Sequence, residues 1–473
     1  MKLTRRVIKV MGIFSGLQML GILCSVVKMK LVAIWLGTAG VGLFGIYQAV
    51  VDTISTFTDM GIRQSAVRDV AEQKDHPSRL AQIATVVRRW SLMAGLLGAV
   101  VICALALPLG HWFFGSASGA WGFVALAAAL FLNSVAGGEQ ALLQGSGRLK
   151  ALASANLWGT LAGLAVSIPM FYWCGDRSVV MSIIAYAVTI CAAMYLSRLR
   201  TPGTAGQPIG LGEVWAKGRG FAKLGLYMAL AAFITSMAHT VFIGLLNEFS
   251  STQGVGLVQA GDTIVVRYMG LIFTAIGMEF YPRMAANQHH PSRQRIFVNH
   301  EITLLLLVLT PLLILFMLLR EPVVQILYTR EFMSIIPFIS LAALSSIPKA
   351  ESWCMANTII SRGDGRIYIL TEGLDALISV PLCLGAYLCG GLAALGAAYI
   401  AWYLIYALLV GLVYYRRYRL ALSRTVWLTA AASLAASAAS LGAVAYLPPL
   451  ASVPLSLLLL LPFLPPLRRL LRR

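Results

Sequence analysis

The sequence predicts an all-α polytopic membrane protein. It should carry about 14 transmembrane helices, as two pseudo-symmetric six-helix lobes plus two C-terminal helices, with both termini cytoplasmic. Three observations predict this. The 473 residues are 59% hydrophobic and 12% charged, about half the charged fraction of a soluble domain, with a mean hydropathy of +0.80. Apolar runs of roughly 20 residues, enough to cross a hydrocarbon core, recur along the whole chain. All but seven of the 37 Lys and Arg fall at the two ends or in alternate loops, as the positive-inside rule requires of cytoplasmic segments. The exceptions are Lys28, Lys30, Arg177, Arg267, Arg320, Arg330 and Lys349. The formal net charge of +19 is therefore a topological signal rather than a nucleic-acid footprint, because no polar domain gathers it.

In chain order the spans are placed at 10–34, 41–62, 84–107, 118–142, 151–173, 178–197 and 221–246. The second set lies at 254–280, 297–319, 332–361, 366–388, 391–414, 425–447 and 450–467. Lys2, Arg5, Arg6 and Lys9 precede the first, which reads as an uncleaved span. An even number follows from both termini being inside; twelve is the alternative if the last hairpin is interfacial. External loops are short. The long cytoplasmic link, with Thr201-Pro202-Gly203 and Gly206-Gln207-Pro208, reads as flexible. The predicted division is thus an N-terminal lobe at 1–200, a linker at 201–220, a second lobe at 221–415, and a helical hairpin with a basic tail at 416–473.

An internal repeat supports this cut. Gly40-Val41-Gly42-Leu43 opens the second span and Gly254-Val255-Gly256-Leu257 the eighth. Gly145-Ser146-Gly147-Arg148 follows the fourth span and Gly363-Asp364-Gly365-Arg366 the tenth, which pairs Asn133 with Glu351. Six spans repeated in parallel predict substrate binding between the halves and rocking around it.

Ions are costly inside a bilayer, so those within apolar runs are the candidate site. The cations are Lys28, Lys30, Arg63, Arg267 and Lys349; the acids are Asp52, Asp59, Asp262, Glu279 and Glu351; Asn133 and Glu139 add further polar groups. Lys349 and Glu351 are two residues apart and share no helix face, and Asp262 and Arg267, five apart, are also poorly placed to pair. Pairing between helices remains open, as does snorkelling for Lys28 and Lys30. A cationic cavity suits an anion such as a phosphate, which Arg grips with a planar fork and Lys with a point charge. Trp35, Tyr47, Tyr268 and Trp353 are placed either to stack on sugar rings or to pack and anchor at the interface.

No Gly-x-x-x-x-Gly-Lys-Ser/Thr loop or His-Glu-x-x-His motif occurs, and His289 and His290 read as solvated loop residues. The seven cysteines, none in Cys-x-x-Cys spacing, read as free thiols within the membrane. No cofactor is expected.

The segment Val27-Lys28-Met29-Lys30-Leu31-Val32-Ala33-Ile34-Trp35-Leu36-Gly37-Thr38-Ala39-Gly40-Val41-Gly42-Leu43-Phe44-Gly45 resembles the start of bacterial polysaccharide transporters. So does the continuation through Asp59, Gly61, Ile62 and Arg63 to Ala66-Val67-Arg68-Asp69-Val70-Ala71-Glu72. These are the O-antigen and lipid III flippases of the multidrug/oligosaccharidyl-lipid/polysaccharide exporter superfamily. The resemblance implies flipping of an undecaprenyl-pyrophosphate-linked glycan across the bacterial inner membrane. The expected drive is the membrane potential acting on an anion, with a proton or sodium antiport through Asp52, Asp59, Asp262 or Glu279 as the alternative. Cavity cations, by position class Lys28, Lys30, Arg63, Arg267 and Lys349, would engage the pyrophosphate. It also makes other polysaccharide-assembly membrane proteins candidate partners, and gives no role to nucleic acid. Two rival readings are an ion-coupled multidrug exporter of the same superfamily and a membrane glycan polymerase or ligase.

Overall fold

The computed structural model describes residues 2–59, 61–73, 76–199, 211–286, 290–463 and 465–466. Side chains are described for these except at 2–18, 62, 64, 77, 211–226, 275, 278–279, 281–283 and 285–286. Linker residues 201–210, His289 and tail residues 467–473 lie outside the described residues.

Among the described residues every regular element is helical. In chain order the α-helices are α1 (Lys2–Asp59), α2 (Ile62–Gln73), α3 (Pro77–Phe114), α4 (Ala120–Gly145), α5 (Leu149–Trp173), α6 (Arg177–Leu199), α7 (Leu211–Phe249) and α8 (Thr252–Asp262). They continue with α9 (Met269–Ala286), α10 (Pro291–Leu327), α11 (Ile336–Leu344), α12 (Ser346–Ser361), α13 (Gly365–Arg416), α14 (Arg424–Tyr446) and α15 (Pro449–Leu460). Leu96, Val100, Leu107, Leu377 and Leu408 point outward and are exposed, as lipid-facing side chains must be.

Two of these helices each contain two spans. In α1 the chain breaks at Gly37 (φ 62°, ψ −159°), and in α13 at Gly390–Gly391, where Gly391 has φ 64° and ψ −148°. That region is open essentially to glycine alone. Both breaks reverse the chain. The Lys28 ammonium lies 4.3 Å from the Phe44 ring, nine residues before Gly37 against seven after. In α13, Asp375 meets Trp402 and Glu372 meets Tyr406, pairs centred on the glycine break. The expected spans at 10–34 and 41–62, and at 366–388 and 391–414, are therefore hairpin arms. The expected span at 332–361 is a bent pair, α11 and α12, meeting at 43°.

The last expected span, 450–467, is shorter than the sequence suggests. Helix α15 has 12 residues, about 18 Å of rise, against the ~30 Å of a hydrocarbon core. Pro449 starts it, and the Ser440 and Ser456 hydroxyls, 2.9 Å apart, clip it to α14. Of the cysteines, Cys24, Cys354 and Cys383 are buried, while Cys103, Cys174 and Cys389 are exposed.

By internal contacts the chain divides into two compact units, residues 1–256 and 257–473. In the first, α7 is tied to α1 by hydroxyls: Thr53 and Thr240 lie 2.7 Å apart, and Thr240 donates to the Ala49 carbonyl at 3.0 Å. Asn247 donates to the Phe113 carbonyl at 2.7 Å. The repeated glycines Gly42 and Gly256 also meet within this unit. A Cβ on Gly42 would lie 1.9 Å from the Thr252 carbonyl oxygen, and a Cβ on Gly256 1.9 Å from that of Thr38. The contact is reciprocal, residue for residue, as a local two-fold demands.

In the second unit Ile302, Leu305, Leu306, Leu309 and Leu313 of α10 share one buried core with Ile347, Met355 and Ile359 of α12. Between lipid-embedded helices such packing acts through dispersion and shape rather than exclusion of water. The turn between α12 and α13 is built on Gly363 (φ 72°). It is latched by Asp364, which accepts from Tyr418 at 2.7 Å and from Arg417 at 3.2 Å. The Arg417 and then the Tyr418 hydrogen bonds hold the Asp364 carboxyl below its usual range.

Candidate functional site

The structure corrects the register of the internal repeat. Sequence matching aligned Gly145 with Gly363, but the residues with left-handed backbone are Gly147 (φ 71°) and Gly363 (φ 72°). Each follows a helix end and precedes the next helix by one residue. The counterpart of Lys349 is therefore Asn133, and Glu351 no longer pairs with it.

In the first unit Lys28 is half-buried, with its ammonium 4.3 Å from both the Phe44 and Tyr186 rings. It is clasped by aromatic faces nine residues before the Gly37 turn. Lys30 is half-buried two residues on, on another face of the helix. Asp52 is exposed and accepts from Gln48 at 2.7 Å. Asp59 accepts from Ser134 at 3.3 Å, and with Arg63, Ser91, Ser134 and Gly137 it lines a cavity of ≈ 10 Å³, room for about one water. Asn133 is half-buried on α4. Glu139 is buried and accepts from Arg88 Nε at 2.5 Å and from a second Arg88 nitrogen at 3.1 Å, with Arg198 at 3.7 Å.

In the second unit the span opened by α8 continues through a π-helical stretch, Thr263–Tyr268, into α9. Such π segments re-aim side chains and recur at functional sites. Here Arg267 is exposed while Asp262 is buried and accepts from the Tyr399 hydroxyl at 2.6 Å. Lys349 and Glu351 face different cavities, as a two-residue spacing on a helix dictates. Lys349, with Trp353 and the α9 residues Gly270, Phe273, Thr274 and Gly277, lines an open cavity of ≈ 510 Å³. Glu351 lines an apolar cavity of ≈ 420 Å³ with Met355, Leu404, Tyr414 and Trp427. Glu279 lies on α9, but its side chain is outside the described residues.

Two acids missed by the sequence reading complete the second unit. Asp375 accepts from the Trp402 indole at 2.7 Å and Glu372 from the Tyr406 hydroxyl at 2.7 Å. With Asp262–Tyr399 they form a ladder of carboxylates, each met by an aromatic donor from one face of the second arm of α13. Lys349 acts electrostatically on Asp262 and Asp375, and its ammonium lies 5.1 Å from the Tyr403 ring. Two acids at i and i+3 inside an apolar run were the available signal.

The chain matches the polysaccharide biosynthesis protein family over residues 31–337. It belongs to that family. It is 23% identical over 398 residues to the lipid III flippase of Escherichia coli strain K12, covering 80% of this chain and 90% of that one. Its fold is similar to that of the lipid II flippase MurJ in an inward closed conformation, with a TM-score of 0.73 at 10% identity, covering 97% of this chain and 99% of that one. It is also similar to an inward-facing multidrug resistance MATE family transporter of the MOP superfamily, at a TM-score of 0.66 and 13% identity, over 84% and 94% of the two chains. The predicted all-helical, multi-pass membrane fold holds, and the expected polysaccharide family agrees with the family matched.

Proposed function

We propose that this protein flips an undecaprenyl-pyrophosphate-linked glycan from the cytoplasmic to the periplasmic leaflet of the bacterial inner membrane by alternating access. The observation that carries the reading is Lys349. It stands twelve residues, about 18 Å, from the Ser361 end of its helix, and opens onto a cavity of ≈ 510 Å³ in a member of a polysaccharide biosynthesis family. Asp262 and Asp375 offset part of the cost of a cation there, and a diphosphate in the open cavity supplies further counter-charge. The similarity to a lipid III flippase agrees with this chemistry. Arg267, exposed from the π-helical stretch, is the second principal anion contact. Lys28, Lys30 and Arg63 supply further positive potential, with Lys28 held between rings. Asp52, Asp59, Asp262, Glu279 and Glu351 are the groups through which an ion gradient would couple. The six-helix lobes at 1–200 and 221–415 are the proposed moving bodies.

A cationic multidrug substrate suits this arrangement less well, because Lys349 would repel it. The test is translocation of lipid-linked glycan by wild type, Lys349→Ala and Arg267→Ala at matched membrane abundance. Loss of a charge-assisted contact of about 1.5–3 kcal/mol predicts roughly tenfold slower flipping or worse for each variant. Wild-type rates in both would sink the proposal.

A further inference from the structure

We infer that the cavity between α9 and α12 is a sugar subsite, holding the residue of the glycan next to the pyrophosphate against the Trp353 indole while Lys349 holds the phosphate. The inference rests on the flippase reading and deepens it.

The cavity has the composition a pyranose needs. Lys349 and Trp353 are four apart on α12 and present a cation and an aromatic ring side by side. From α9, Gly270, Thr274 and Gly277 clear the opposing wall. The Thr274 side chain is exposed, with its hydroxyl donating to the Gly270 carbonyl at 3.0 Å and its lone pairs open to a sugar hydroxyl. A Cβ on Gly270 would meet nothing within 4 Å, so the space is real and unfilled. Its ≈ 510 Å³ lies within the ~300–1,000 Å³ of small-molecule sites. The indole is held by Phe273, which also lines the cavity, edge-on at 5.7 Å, and by Phe280 at 5.9 Å. Its six-membered ring lies against the α9 backbone, with Cη2 and Cζ2 each 3.0 Å from where a Gly277 Cβ would be.

The other copy of the repeat is packed differently. The corrected register makes Gly137 the counterpart of Trp353. Each unit packs one large side chain on a glycine of a neighbouring helix, Arg63 of α2 on Gly137 of α4 and Trp353 of α12 on Gly277 of α9. In the first unit the Arg63 guanidinium closes over Gly137, 2.7 Å from its Cβ position, and leaves ≈ 10 Å³. In the second the large residue is an indole, and the space beside it stays open. At Gly137 the glycine is filled by an arginine, and at its counterpart Trp353 the glycine is replaced by a ring beside open space.

The test uses the full chain in lipid nanodiscs and measures binding of farnesyl pyrophosphate with and without one attached hexosamine, by calorimetry. Wild type should prefer the glycosylated probe about tenfold. Trp353→Ala should collapse that ratio towards one. So should Gly270→Leu, which fills open space and replaces a poor helix former with a good one. Lys349→Ala should weaken both probes. Unchanged ratios in Trp353→Ala and Gly270→Leu, with both probes bound, would overturn the subsite and leave the flippase reading intact. Failure of wild type to bind either probe would overturn both.

Discussion

Glu139 shows how a charge within a span can be structural. Its carboxylate sits between Arg88 and Arg198, with side-chain exposures of 10%, 13% and 36% in that order. Removing one member of a buried ion pair leaves the other uncompensated, at a cost of about 3–5 kcal/mol. Glu139→Ala should therefore lower the thermal midpoint markedly, and adding Arg88→Ala should restore part of the loss. Strict additivity of the two effects in a double-mutant cycle would show that the pair is not coupled. The sequence marked Glu139 as an intramembrane acid but could not show its partners, which lie 51 and 59 positions away on α3 and α6. Glu372 and Asp375 were legible as an i, i+3 acid pair; that each meets an aromatic donor across a hairpin was not.

At the scale of elements, glycines decide where helices break and where they touch. Gly37 and Gly391 reverse the chain, because only glycine tolerates their backbone angles. Gly42 and Gly256 do something different: both are helical, and they let the backbone at Thr38–Gly42 approach that at Thr252–Gly256. Gly42→Ala would force a Cβ to 1.9 Å from the Thr252 oxygen, so the helices must part. Gly385, by contrast, has nothing within 4 Å of its Cβ position. Gly385→Ala should leave the thermal midpoint unchanged or raise it, by up to about 1 kcal/mol in stability, while Gly42→Ala lowers it. Equal midpoints for the two variants would contradict the close crossing. The repeated Gly-Val-Gly-Leu was legible as a duplication; its reciprocal contact was not, since 214 residues separate its two halves.

For the whole molecule, the drive follows from the sign of the proposed cargo. With the cytoplasm negative, a pyrophosphate moving outward gains about 2.3 kcal/mol per charge per 100 mV. Flipping in proteoliposomes should accelerate when a potential of that polarity is imposed and slow when it is reversed. A rate indifferent to potential but dependent on a proton or sodium gradient would assign the drive to the acids instead.

The sequence by itself determined the membrane class and the helical architecture, and its charge bias and repeated motifs predict the positive-inside topology and the duplication. Each of these depends on local composition or on spacing along one chain, which hydrophobic length and charge bias report directly. It also picked out Lys349, because one charge in a long apolar run is conspicuous whatever surrounds it. Only the tertiary structure decided that Lys349 and Glu351 open onto separate cavities, that Glu139 is bound by two arginines, and that the repeat aligns Asn133 with Lys349. These depend on which faces of distant helices meet. That is settled by side-chain volume and backbone approach, as at Gly137 under Arg63 and Gly277 under Trp353, and no periodicity encodes it.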